Sequence, residues 1–238
     1  MSRPLSERGY RLTPLQAGMV YETHAHGMGV NVEQVVIHLQ GEVNLARMAQ
    51  AWEAAIVRHP ALRLAVWQGA DGQFVQGVGP AFAAPLVEED LRGTLADWFR
   101  QDRARGVDVS RADGWRLAVL TGGAGPVLVW TFSHVALDGR SFAAVLAEVF
   151  AEYDGEAQDL PARPSFVDMC DGLAAKDMAA TCQMFAAYLQ GFDAPTPVGF
   201  EAASSEQSGT VSLRAALTPA QSAKLIARAK TAGASFAT

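Results

Sequence analysis

The chain has little charge, little cysteine and no long apolar run, and each shortage excludes a class of protein. Charged residues make up 18% of the 238 residues, and the formal net charge is −6. A chain of this sign lacks the basic face that nucleic acids and anionic membranes attract, so neither is expected as a partner. No apolar stretch reaches the roughly 20 residues that a membrane-spanning helix needs. The first seven residues have no apolar core, so no signal peptide is predicted.

Cysteine occurs twice, as Cys170 and Cys182. Both fall in a stretch, residues 166–190, whose pattern predicts a single helix. Two thiols twelve positions apart on one helix cannot meet in a disulfide, so both are expected to be reduced. Reduced thiols and a chain without a signal peptide favour a cytoplasmic location.

The abundant residues are apolar, at 50% of the chain, which is enough to form a sizeable core. The predicted strands cover residues 34–39, 62–67, 74–75, 115–120, 126–132 and 211–217. The predicted helices cover residues 12–24, 45–57, 94–105, 142–153 and 166–190, with a last helix from residue 219. Strands joined by hairpin turns and interleaved with helices predict an α/β (α+β) two-layer sandwich, in which helices pack on a mixed sheet.

The strongest functional signal is the segment 133–139, SHVALDG, which follows directly on the apolar run 127–132. That run has the length of a buried strand, so His134 is delivered where the chain reaches a surface or cleft. Asp138 then precedes a helix, whose free amides and dipole stabilise a carboxylate. Gly139 allows a backbone angle that a Cβ would forbid. An imidazole in this place can accept a proton near neutral pH, or it can be a purely structural histidine.

Other chemistries have weaker support. The remaining histidines are His24, His26, His38 and His59. They show no spacing typical of metal ligands, so no metal site is predicted, and His59 is expected to be a packing residue. A hydrolase pair of Ser133 and His134 is not expected either, because adjacent residues on a strand point to opposite faces.

Three segments, in the correct order, resemble the core motifs of nonribosomal peptide synthetase condensation domains. They are residues 12–19 (LTPLQAGM), 58–63 (RHPALR) and 133–139. The last resembles the HHxxxDG signature, with Ser133 in place of the first histidine. The chain is therefore identified as similar to this family of chloramphenicol-acetyltransferase-like enzymes, and the likeness covers essentially its whole length.

The resemblance implies an acyltransferase that forms an amide bond. In this family an amine attacks an acyl thioester carried on the phosphopantetheine of a peptidyl or acyl carrier protein, and the domain itself binds no cofactor. His134 would be the catalytic residue, either taking the proton of the amine or steadying the tetrahedral intermediate. Asp138, Gly139 and Ser133 would organise the site around it.

In the family the aspartate of the signature forms a salt bridge with an arginine. The first motif often supplies that arginine, but the matching position here is Gly18. The candidates left for pairing with Asp138 are Arg63, Arg140 and Arg116.

The resemblance covers only the first half of the family's two-lobed domain. It implies an N-terminal lobe over residues 1–192, a linker over 193–208, and the crossover strand and first helix of an absent C-terminal lobe over 209–238. Two alternatives stay open. The chain can be a catalytically inactive interaction or scaffolding half-domain or an excised fragment, or it can be a stand-alone oligomeric acyltransferase with its active site between subunits. Self-association through an exposed lobe interface is expected in either case.

Overall fold

A computed structural model describes residues 9–195 and 214–235 of the chain. The strands within these ranges are β1 (Tyr10–Arg11), β2 (Val32–His38), β3 (Leu64–Gln68), β4 (Phe74–Val78), β5 (Leu86–Asp90), β6 (Arg116–Thr121) and β7 (Val127–Ser133). The helices are α1 (Pro14–His26), α2 (Leu45–Arg58), α3 (Leu95–Ala104), α4 (Gly139–Asp154), α5 (Phe166–Ala174), α6 (Met178–Tyr188) and α7 (Pro219–Thr231). Short 3₁₀ helices cover Pro60–Arg63 and Ala157–Asp159.

The main sheet has four strands in the order β2-β7-β6-β5. Strand β7 runs antiparallel to both β2 and β6, while β5 pairs with β6 in parallel. All seven residues of β7 are buried, because the strand has neighbours on both sides and helices above and below. Its last residue, Ser133, pairs with Val32 at the start of β2, so the chain leaves the sheet at a fixed point.

Helices α2 and α4 cover one face of this sheet, and α3 packs on the other face. On the first face three indoles meet, with Trp52 of α2 at 4.7 Å from Trp130 of β7 and 5.6 Å from Trp115, measured between ring centroids. On the second face, Val129 and Leu120 pack against Trp98 and its neighbours. The sheet is thus buried on both sides, which explains why β7 is apolar at all positions except Thr131 and Ser133.

A second, smaller sheet has the order β1-β4-β3 and is fully antiparallel. A tight turn joins β3 to β4, with the Gly69 amide donating to the Gln73 carbonyl at 2.7 Å and Gly72 at φ 79°. Beside this sheet, Val20 of α1, Val66 of β3 and Val135 form a separate buried cluster. The sheet therefore packs with α1 directly against the segment that follows β7.

Several sequence-based expectations need correction. Strand β5 is absent from the predicted set, and residues 62–63 belong to a 3₁₀ helix rather than to a strand. Residues 166–190 form two helices, α5 and α6, with a break at residues 175–177. Cys170 and Cys182 therefore lie on different helices; both are free, Cys170 buried and Cys182 exposed.

The last part of the chain is only partly described. A boundary at Thr181 divides the chain into two compact units. The predicted linker over 193–208 lies mostly outside the described residues, as does the start of the strand predicted over 211–217. The described part of that strand, residues 214–217, has no strand conformation. Helix α7 begins at Pro219 as expected, capped by Thr218, and none of its residues is buried. Among the described helices, none is long and apolar enough to cross a membrane.

Candidate active site

The segment 133–139 forms a sharp turn between β7 and α4. The backbone amide of His134 donates to the Asn31 carbonyl at 2.7 Å, which extends the pairing of β2 and β7 by one bond. The Ser133 side chain is buried, and its Oγ accepts a hydrogen bond from the Val135 amide at 3.2 Å. The Ala136 amide donates to the Ser133 carbonyl at 3.0 Å. Ser133 therefore stabilises the turn that follows the strand.

His134 lies at the end of the strand, where the sequence places it, and its side chain is half-buried. Its Nδ1 atom is buried, and it has no hydrogen-bond partner among the residues that the structure describes. The indole nitrogens of Trp52 and Trp130 in the core also lack partners among these residues. What distinguishes His134 is its half-buried place at the end of β7, where no described side chain engages its Nδ1.

Asp138 is the N-cap of α4. Its Oδ1 accepts hydrogen bonds from the Ser141 hydroxyl at 2.6 Å and the Ser141 amide at 2.8 Å. These bonds, the Ser141 hydroxyl first, hold the pKa of Asp138 below its usual range, with smaller contributions from the Arg140 amide and the His134 imidazole. Gly139 is the first residue of α4 and has no left-handed backbone angle. A Cβ there would meet only the Phe142 Cε1 at 4.0 Å, so the expectation that this position forbids a side chain is wrong.

The arginine partners proposed for Asp138 are not found in the described structure. Arg63 donates instead to the backbone carbonyls of Ile56 and Gly79, at 2.9 and 2.7 Å. Arg140 contributes its backbone amide to Asp138 rather than its guanidinium. Arg116 forms an ion pair with Asp102 instead. Within the described ranges the carboxylate of Asp138 is therefore a helix cap and not half of a salt bridge.

Arg116 forms an ion pair with Asp102 of α3, with Nε 2.5 Å from Oδ1. Asp102 is 3% exposed and also accepts hydrogen bonds from Thr131 at 2.6 Å and Gln34 at 2.9 Å. Burial raises the pKa of Asp102, but the hydrogen bonds from these three side chains outweigh it and hold the pKa below its usual range. The Asp102 carboxylate thus connects α3 to β2 through Gln34, to β6 through Arg116 and to β7 through Thr131. These contacts stabilise the sheet that carries His134.

The second motif, residues 58–63, also stabilises the fold. The Arg58 Nε lies 2.7 Å and the His59 Nε2 lies 2.8 Å from the same carboxylate oxygen of Glu148 on α4. The Arg163 Nε lies 2.6 Å from the other oxygen of Glu148. His59 is thus a polar partner of a buried carboxylate, rather than the packing residue expected from the sequence. Glu148 carries no sequence signal of its own, since an acidic residue on a helix is normally solvent-exposed.

A narrow apolar cavity of about 30 Å³ lies beside Ser133 and is lined by Val66, Trp115, Val135 and Leu137, among others. This volume holds one or two water molecules but no substrate. The cavity is therefore a small gap in the packing beneath the turn and not a binding site. Among the described residues, no group of three histidine, cysteine or acidic side chains is placed to bind a metal ion.

Comparisons with known proteins agree with the sequence motifs. A family model described as condensation domain matches residues 6–194. One protein of the linear gramicidin synthase of Brevibacillus parabrevis is 31% identical over 208 residues, which cover 82% of this chain and 4% of that protein. A second protein of the same synthase is 32% identical over 209 residues, again covering 82% of this chain and 4% of that protein. The chain thus spans a small part of the curated relatives that it matches.

Solved structures show the same fold. The first condensation domain of the calcium-dependent antibiotic synthetase, in complex with a substrate analogue, matches with a TM-score of 0.73 and 21% identity, over 97% of this chain and 57% of that one. The starter condensation domain of rhizomide synthetase matches with a TM-score of 0.68 and 18% identity, over 80% of this chain and 49% of that one. The predicted α/β, chloramphenicol-acetyltransferase-like fold is therefore confirmed, and the chain spans about half of these solved domains.

Proposed function

The chain belongs to the condensation-domain family, and we propose that it is the N-terminal half of a domain that forms amide bonds in nonribosomal peptide synthesis. The acyl donor in this proposal is a thioester on the phosphopantetheine of a carrier protein, and the acceptor is an amine. The carrier protein and the C-terminal half of the domain are the proposed partners, and no cofactor is bound by this half itself.

The observation that carries the proposal is the His134 imidazole at the end of β7, half-buried and with an Nδ1 that no described residue pairs. In the reaction the amine nitrogen attacks the thioester carbonyl and forms the C–N bond. The imidazole accepts the proton that the nitrogen loses. The C–S bond then breaks, and the proton passes on to the departing phosphopantetheine thiolate. An imidazole suits this shuttle because its ordinary pKa, ~6.5, lies close to neutrality.

The surrounding residues have supporting roles in this proposal. Ser133 stabilises the turn that follows β7, and Asp138 caps the start of α4. Neither Ser133 nor Asp138 has to contact the substrates. A cytoplasmic location is part of the proposal, because Cys170 and Cys182 are both free thiols, as is usual in a reducing compartment.

The test is His134→Ala in the full-length condensation domain, with aminoacylated or acylated carrier proteins as substrates. We expect amide formation to fall by about 10²–10⁴-fold, the usual contribution of a general acid–base, while the melting temperature stays close to that of the wild type. His38→Ala is the matched control, because His38 is exposed at the other end of β2. A well-folded His134→Ala enzyme with near-normal turnover would remove His134 from the mechanism.

A further inference from the structure

Gln16, in the first turn of α1, reaches across the fold to the turn that carries His134. Its side-chain Nε2 donates to the Val135 carbonyl at 3.0 Å, although the two residues are 119 positions apart. The same nitrogen donates to the Gln76 Oε1 at 2.8 Å. Gln16 is 6% exposed and Gln76 is fully buried, so these bonds form out of contact with solvent.

Every hydrogen-bonding position of the Gln16 amide is used. Its Oε1 accepts from the Thr13 amide at 3.0 Å, which completes the capping box of α1, and from the Gln76 Nε2 at 3.1 Å. Gln76 in turn donates to the Arg11 carbonyl at 3.0 Å. A buried polar network in which each member is satisfied is rigid, and it specifies one arrangement of the groups that it joins. Here it joins α1, β4 and the residue next to His134.

The same turn is held from its other side by Asn31. The Asn31 carbonyl accepts from the His134 amide, and the Asn31 side chain donates to the Met19 carbonyl of α1 at 3.1 Å. Asn31 has φ 58°, an uncommon conformation for a residue other than glycine. Asparagine is among the few residues other than glycine that adopt this conformation readily, which suits Asn31 to the position. Helix α1 is therefore connected to the turn at two points: to His134 through Asn31, and to Val135 through Gln16.

We propose that Gln16 is a positioning residue for His134. By holding the Val135 carbonyl, it fixes the turn and with it the direction of the imidazole. Catalysis by a proton acceptor depends on its placement, and a shift of about 1 Å can cost about 10²-fold in rate. The expected effect on rate rests on the proposed function. The hydrogen bond from Gln16 to the Val135 carbonyl does not depend on it.

The first experiment measures the contact in the isolated chain, without reference to activity. Gln16→Met removes both donated bonds at similar volume, and Gln16→Glu keeps the acceptor for the Thr13 amide but presents an oxygen to the Val135 carbonyl. Thr13→Ala is the control, since it weakens the same capping box and leaves the Gln16 amide in place. In NMR spectra of His134-labelled protein, we expect the imidazole signals to move in both Gln16 variants and to stay in place in Thr13→Ala.

The second experiment measures condensation by the full-length domain at a temperature well below the melting point of every variant. We expect kcat to fall about 10- to 100-fold in Gln16→Met with KM within about twofold, and to stay near the wild-type value in Thr13→Ala. Unmoved His134 signals, or a loss of kcat no larger than in Thr13→Ala, would overturn the proposal. If His134→Ala itself keeps full activity, the proposed role of His134 in the reaction fails, and the NMR experiment still decides whether Gln16 positions the turn. If Gln16→Met does not fold, both measurements are made on Gln16→Glu.

Discussion

At the scale of single residues, Asp138 stabilises the protein without having to touch a substrate. Its carboxylate is exposed, and its strong bonds go to the hydroxyl and amide of Ser141 at the start of α4. An N-cap carboxylate satisfies amides that the helix leaves open, and it favours the positive end of the helix dipole. The Nδ1 of His134, four residues earlier, has no such bond to any described residue. Asp138 is therefore engaged in capping α4, whereas no described side chain engages the Nδ1 of His134.

The helix cap leads to a prediction for Asp138. Asp138→Ala should lower the free energy of unfolding by about 0.5–2 kcal/mol, the usual cost of losing an N-cap. Asp138→Asn should recover most of it, because an amide oxygen also caps a helix. His134→Ala should have a smaller effect than the loss of the cap. Urea denaturation of the three variants measures this order. Equal stability of Asp138→Ala and the wild type would show that the cap contributes nothing.

At the scale of elements, the buried carboxylate of Glu148 joins the end of α2 to α4 and to the connector that follows. It is 3% exposed and contacts Arg58, His59 and Arg163. Arg58 also donates to the Pro161 carbonyl, so the connector is held at two points. Burial raises the pKa of Glu148, but its three cationic or donating neighbours outweigh it and leave the pKa below the usual value.

The lowered pKa gives Glu148 a defined pH dependence. A carboxyl that is more acidic in the folded than in the unfolded protein stabilises the fold fully above its ordinary pKa, 4.5 here. The stabilisation is lost as pH falls through the lowered value. Glu148→Gln should therefore cost about 1.5–3 kcal/mol at pH 7, the range for a charge-assisted hydrogen bond. The difference between wild type and variant should shrink as the pH drops below about 4.

Chemical denaturation at a series of pH values measures this difference. Asp113→Asn is the control, because Asp113 pairs with Arg111 at the surface and exposed pairs contribute less than about 1 kcal/mol. A Glu148→Gln cost that is as small as the control at pH 7, or that grows on acidification, would contradict the assignment.

Elements with local signals could be predicted from the sequence, and those that depend on distant partners could not. Thr13, Asn44 and Asp138 all cap helices where their side chains suggest it, because capping involves only the next three residues. Strand β5, with three acidic residues in five, is held by parallel pairing with β6 and has no pattern of its own. The candidate site shows the same difference between local signals and contacts with distant residues. His134 could be located from its strand, but the true partners of Arg63 and Arg116 and the role of Gln16 require the folded chain.

At the scale of the whole molecule, the chain belongs to the condensation-domain family but spans about half of the solved domains that it resembles. The α2, α3 and α4 helices bury both faces of the main sheet, so this half has a core of its own. The cavity beside the motif is too small for a substrate. The folding of this half and its proposed catalysis can therefore be tested separately.

We expect the 238-residue chain, purified alone, to fold and yet to give no measurable amide formation. Most of the gain from such an enzyme comes from holding the thioester and the amine together in the right geometry. One half presents a half-buried His134, and the cavity beside its turn is too small to hold either substrate. The measurement is product formation under multiple turnover, with the mass in solution determined by sedimentation on the same sample. Addition of the C-terminal half as a separate polypeptide should restore activity, and His134→Ala in the first half should abolish that recovery. Robust turnover by a strictly monomeric chain would mean that one half suffices, and the requirement for an enclosing second half would have to be abandoned.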